Sequence, residues 1–107
     1  MPGTINWKAT YEGTGEANAE LYDSGGNVAR SEPIPCDPPV NCPFPMDNLS
    51  FGTYTAALVS GSTRYYYNSS QQVIAAPNGA SSATPITISS NSSVASIIIK
   101  VQIGQTA

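Results

Sequence analysis

Apolar and polar residues alternate along much of this chain with the period of two that marks a strand buried on one face. In Thr4–Tyr11, Ile5, Trp7, Ala9 and Tyr11 fall on one side and Asn6, Lys8 and Thr10 on the other, because successive strand residues point to opposite faces. After a glycine-containing turn at Glu12–Glu16, Ala17, Ala19 and Leu21 repeat the pattern, with Asn18, Glu20 and Tyr22 outward. Asp23-Ser24-Gly25-Gly26-Asn27 supplies residues that tolerate positive φ, so Val28–Ser31 is predicted to return antiparallel as a hairpin. Further strands are predicted up to Val59, with Tyr54, Ala56 and Leu58 on one face, and over Arg64–Asn68, Gln71–Ala75 and Thr84–Ser89. Turns at Gly61-Ser62, Pro77-Asn78-Gly79 and Asn91-Ser92 separate them. The last strand, Ser93–Ile103, turns Ala95, Ile97, Ile99, Val101 and Ile103 inward and is the most hydrophobic element. Helical spacing is absent.

Residues 32–46 break the pattern. Six of the nine prolines lie between Glu32 and Pro45, and proline neither donates to a sheet ladder nor lets its predecessor turn helical. The segment is predicted to be a stiff loop, ordered through Cys36 and Cys42. Their spacing suits a small disulfide-closed loop better than a zinc pair, which would also lack two further ligands. A disulfide and a pair of free thiols both remain open, because a cytosolic chain would start reduced and oxidise only after release.

The length of 107 residues fits one domain, since two cores would each be too small to bury enough surface. The fold class expected is all-β: an antiparallel Greek-key β-sandwich of about seven to eight strands over residues 1–107. Its core would draw on Ile5, Trp7, Leu21, Leu49, Tyr54, Leu58, Ile86, Ile88, Ile97, Ile99 and Val101. Asn48-Leu49-Ser50-Phe51-Gly52-Thr53-Tyr54 resembles the N-L-x-x-G-x-Y segment of immunoglobulin-like and prealbumin-like β-sandwich modules, including the carboxypeptidase regulatory-like family. Leu21–Val28 is similar to the hairpin that comes earlier in those modules. The resemblance implies that Leu49 caps the core, Gly52 turns the chain and Tyr54 enters the next strand. It covers roughly a third of the chain on motifs shared by many functions, and the Pro/Cys segment is inserted between the matching pieces.

Composition narrows the function. Only 10% of residues are charged, against about 25% in an average soluble domain, so the surface is built from neutral polar groups. The net charge is −3 and the four cations, Lys8, Arg30, Arg64 and Lys100, are scattered along the chain. Nucleic acid is therefore not expected as a partner. The longest bulky aliphatic run, Ile97–Ile99, is far short of the ~20 residues of a membrane helix, so no membrane is expected either. The N-terminus shows no basic start followed by an apolar stretch, so either the protein is made in a cytoplasm without export or a signal has been removed, and the initiator-like Met1 favours the first expectation.

Histidine is missing, which removes the commonest general base and metal ligand. The serines have no evident base to activate them. Glu12, Glu16 and Glu20 fall on a turn and a strand, where a solvated edge is expected and not an acid/base couple. Gly13-Thr14-Gly15 and Gly25-Gly26 read as hairpin turns, since neither is followed by a helix or a lysine. No catalytic residues, metal site or cofactor are expected, and the chain is read as a non-enzyme. Asn48-Leu49-Ser50, Asn68-Ser69-Ser70 and Asn91-Ser92-Ser93 match the glycosylation acceptor pattern, but without an export signal no glycan is expected.

Tyr65, Tyr66 and Tyr67 are the candidate interface: consecutive strand residues alternate faces, so at least one must point away from the core, and tyrosine is enriched at contact hot spots. The alternative is an outward tyrosine packed under a neighbouring loop. Ile98, opposite in facing to Ile97 and Ile99, raises the same question. The expected function is structural: a bacteriophage capsid decoration (auxiliary head) protein on the virion surface, its partners being capsid or other virion proteins or further copies of itself. The alternative is a carbohydrate- or protein-binding module of a bacterial surface or secreted protein, extracellular, with tyrosines stacked on sugars.

Overall fold

The computed structural model describes residues 3–12, 16–36, 40–70, 73–74, 79–89 and 94–102. Strand β1 (Gly3–Glu12) buries Ile5, Trp7, Ala9 and Tyr11 while Asn6 and Lys8 stay exposed, as the alternation requires. It is the centre of a sheet ordered β4-β1-β8, here sheet I, where β4 is Cys42–Leu49 and β8 is Val94–Gln102. Strands β2 (Asn18–Tyr22), β3 (Val28–Pro33), β5 (Gly52–Ser60) and β6 (Thr63–Tyr66) form sheet II in the order β3-β2-β5-β6. The short β7 (Ile86–Ile88) pairs with the first residues of β5, after one 3₁₀ turn at Ala80–Ser82. The two sheets pack face to face as a β-sandwich of eight strands.

Register explains why the core closes. In sheet I, Phe44, Trp7 and Ile97 stand side by side, and so do Cys42, Ala9 and Ile99. In sheet II, Ala19, Leu58 and Tyr65 make one row while Leu21 sits beside Ala56. Small and large side chains thus share rows, which lets two twisted sheets interdigitate without voids. Trp7 stacks on Phe44 with ring centroids 5.5 Å apart and planes at 17°. All of the expected core residues are buried. Ala95 packs against the core only in part, and Ile103 lies outside the described residues.

The hairpin between β2 and β3 is built by Asp23. Its Oδ1 accepts from the backbone N–H of Gly25 (2.9 Å) and of Asn27 (3.0 Å), and Gly26 adopts φ +83°, the local bonding that favours Asp and Gly at turns. Leu49 is buried at the end of β4, Gly52 has φ +154° and Tyr54 enters β5 with its hydroxyl donating to the Ser50 carbonyl at 2.6 Å. Such a back-bond fixes the corner between two strands.

The structure departs from the sequence reading in several places. Residues 32–46 are not all loop, because β3 runs through Pro33 and β4 begins at Cys42. Pro43 and Pro45 sit two apart on β4, at the edge of sheet I, and face solvent. An edge strand has one side without a ladder partner, which is where a sheet tolerates proline. The pairing of β1 with β8 is parallel, unlike the antiparallel pairing expected throughout. The strand expected at Arg64–Asn68 is shorter, Thr63–Tyr66. Of Gln71–Ala75 only Val73 and Ile74 are described, and Ile74 makes an isolated parallel bridge to Val101. The expected turns at residues 13–15 and 91–92 lie outside the described residues.

Candidate functional site

The tyrosine triplet is dispersed by strand geometry. Tyr65 points into the sandwich, buried against Tyr11 with ring centroids 6.2 Å apart, and burial raises its phenol pKa. Tyr66 points the other way, onto the outer face of sheet II. Tyr67 follows β6, donates its N–H to the Ala56 carbonyl (2.8 Å) and packs half-buried at the margin of the core. The three do not form one patch: only Tyr66 and Tyr67 reach the surface, on different sides.

On sheet II, Tyr66 belongs to a second apolar cluster with Tyr22, Ala57 and Val59. The Tyr22 ring lies 5.9 Å from that of Tyr66, and the Arg64 guanidinium stands 6.0 Å over it. The Tyr22 hydroxyl donates to Glu20 (2.6 Å) and accepts from Arg64 Nε (2.9 Å), while Ser31 donates to the other Glu20 oxygen. Burial, then the bond to Glu20, push the Tyr22 pKa up to about 12, against a smaller opposing pull from Arg64. Beside the pair, Asp23, Thr53 and Thr55 line a cup of about 260 Å³. The centre of this outer face is covered by its own side chains, while Val28 at the β3 edge is exposed.

Sheet I is finished differently. Along the outer face of β8, Val94 is 65% and Ile98 66% exposed. A groove of about 590 Å³ runs beside Ile98 and has Lys8 and Lys100 on its floor. One wall is Tyr67, Asn68 and Ser69, held to residues 79–84 by bonds from Asn68 Nδ2 to the Ser82 carbonyl, from Ser69 N–H to Thr84 Oγ1 and from Thr84 N–H to the Tyr67 carbonyl. Val73 stands at another side, carried by Ile74, which bonds to Lys100 and Gln102 backbone and so extends the sheet past β8. Asn41 closes an end: its N–H donates to Thr10 Oγ1 at 2.8 Å, which accounts for a buried threonine on the outward side of β1.

Cys36 and Cys42 are joined as a disulfide with Cα atoms 5.8 Å apart. Cys42 is fully buried opposite Ala9, so the bridge pins the chain next to Asn41 and thereby that end of the groove. Of the carboxylates weighed as catalytic, Glu20 is engaged by Tyr22 and Ser31, Glu12 accepts from Gln102, and Glu16 is exposed. Among the described residues no group of three His, Cys, Asp or Glu side chains is placed to hold a metal. Sequence reasoning singled out Ile98 but not the groove, because Lys8, Tyr67 and Lys100 come together only through the β1–β8 register and the path of residues 67–74. No family model matches the chain, and no curated protein matches it.

Proposed function

We propose that the chain is a non-enzymatic structural protein of a virion surface, a bacteriophage capsid decoration protein that seats the outer face of sheet I on the capsid lattice. The observation that carries this reading is the asymmetry of the two outer faces. The centre of sheet II is covered by Tyr22, Tyr66 and Val59, with Val28 exposed at its β3 edge, while sheet I leaves Val94 and Ile98 bare along β8, Ile98 lining a groove of about 590 Å³. A sheet face that buries aliphatic side chains gains on the order of 1–2 kcal/mol for each, and on a lattice such contacts are multiplied by avidity. The surface of few charges and many neutral polar groups fits a protein that must adhere at one face only.

The test is occupancy on particles purified from cells that make the protein. Peptide mass spectrometry is expected to find the chain in fixed ratio to the shell protein, and V94D/I98D to lower that ratio at least about tenfold with the β-sheet circular dichroism intact. Absence of the chain from purified particles overturns the virion assignment, and unchanged occupancy of the double variant overturns the face. The second reading, a carbohydrate- or protein-binding module of a bacterial surface or secreted protein, draws on the cup beside Tyr22 and Tyr66, where a ring and the Asp23, Thr53 and Thr55 side chains adjoin. Retention on immobilised neutral oligosaccharides that Tyr66→Ala abolishes would favour it.

A further inference from the structure

We propose that the groove on sheet I is a receptor for carboxylates, and that what enters it is an acidic polypeptide segment of the shell protein. This rests on the reading of sheet I as the attachment face. Only four cations exist in the chain, and two of them, Lys8 and Lys100, line this one groove together with no carboxylate. The other two are already engaged: Arg30 pairs with Glu32 and bonds the Asp47 carbonyl, and Arg64 bonds Tyr22. Neither lysine has an ion pair among the described residues.

The parallel register sets Lys8 beside Ile98 and Thr10 beside Lys100. The two ammonium stems therefore rise as diagonal neighbours, about 7–8 Å apart at their bases. At that spacing long stems can converge on one carboxylate, and without it they repel each other. An acidic chain that leaves two like charges together on one face has arranged them for a partner of opposite sign.

The rest of the lining selects a polypeptide. Ile98 and Val73 are exposed aliphatics in the same lining as the charges, and they suit an apolar side chain next to an acidic one. The exposed Asn41 side chain offers an amide group for a backbone. Nucleic acid would call for a longer row of cations and gain nothing from the aliphatic floor.

The experiment measures binding of the purified chain to particles that lack it. K8Q/K100Q is expected to weaken binding on the order of tenfold, and raised salt to do the same to the wild type. Arg64→Gln, the same charge change on the other sheet, is expected to leave affinity within about twofold. A soluble peptide alternating glutamate and leucine should compete, and a lysine–leucine peptide should not. If I98D loses binding while K8Q/K100Q keeps it, the attachment face stands and the carboxylate receptor is overturned. If I98D binds as well as wild type, the face itself is wrong. Competition by DNA or polygalacturonate without competition by the acidic peptide, or a salt-sensitive dimer of the free chain that K8Q/K100Q dissociates, overturns the shell-protein segment as occupant.

Discussion

At the scale of single residues, Tyr22 and Trp7 show two ways of burying a polar group. The Tyr22 hydroxyl is fully engaged between Glu20 and Arg64, and its pKa is held near 12 in the folded chain against about 10 when unfolded. A raised folded pKa means that the native state keeps its proton while the unfolded state loses it, so stability present below pH ~10 is lost as pH rises to ~12. Tyr65, whose phenol is also raised by burial, contributes with the same sign. Tyr22→Phe should flatten the alkaline fall in the unfolding midpoint, a change that thermal melts at stepped pH will show. Trp7 is the opposite case: its ring is buried against Phe44 but its Nε1 has no hydrogen-bond partner among the described residues. Trp7→Ala should cost about 3–5 kcal/mol in chemical denaturation, whereas Trp7→Phe should cost distinctly less, because it keeps the stack and removes an unpaired donor. The inward role of Trp7 was readable from its place in the alternation. The Tyr22 network was not, because Glu20, Ser31 and Arg64 come from three strands.

At the scale of elements, local patterning carried β1, β2, the Asp23 hairpin, β5 and β8, whose turn chemistry and period-two alternation agree. It failed at β4, where Cys42, Phe44 and Met46 alternate inward as any strand would and Leu49 turns inward again after a register shift against β1. The prolines between them masked that signal, since a proline is compatible with a strand only at an edge, and whether a strand is an edge is settled by the topology. The parallel pairing of β1 and β8 was hidden for the same reason. Pro43 and Pro45 also close the β4 edge to further pairing, as proline does on natural sheet edges. P43T/P45T should therefore leave the fold intact but add concentration-dependent self-association in sedimentation velocity; a double variant that stays monomeric at the same concentrations would contradict this role.

At the scale of the whole molecule, the sandwich presents two unlike outer faces. The centre of sheet II is covered by the Tyr22–Tyr66–Arg64 cluster, and sheet I is left with bare β8 aliphatics, two lysines without an ion pair among the described residues, and a groove whose walls come from Asn41, Tyr67, Asn68, Ser69 and Val73. The disulfide and the excursion between β6 and β7 are devices that build these walls. The candidate tyrosine patch illustrates what a one-dimensional reading misses. Neighbours in sequence were split among core, sheet II and groove, while residues that do converge come from distant parts of the chain, Lys8 being 59 positions from Tyr67 and Tyr67 33 from Lys100. Imaging of intact particles at side-chain resolution tests the orientation directly. Density for the chain should lie with β1 and β8 of sheet I against the shell and with Tyr22 and Tyr66 toward solvent. A chain seated by the Tyr22–Tyr66 face, with Ile98 and both lysines in bulk water, would contradict it.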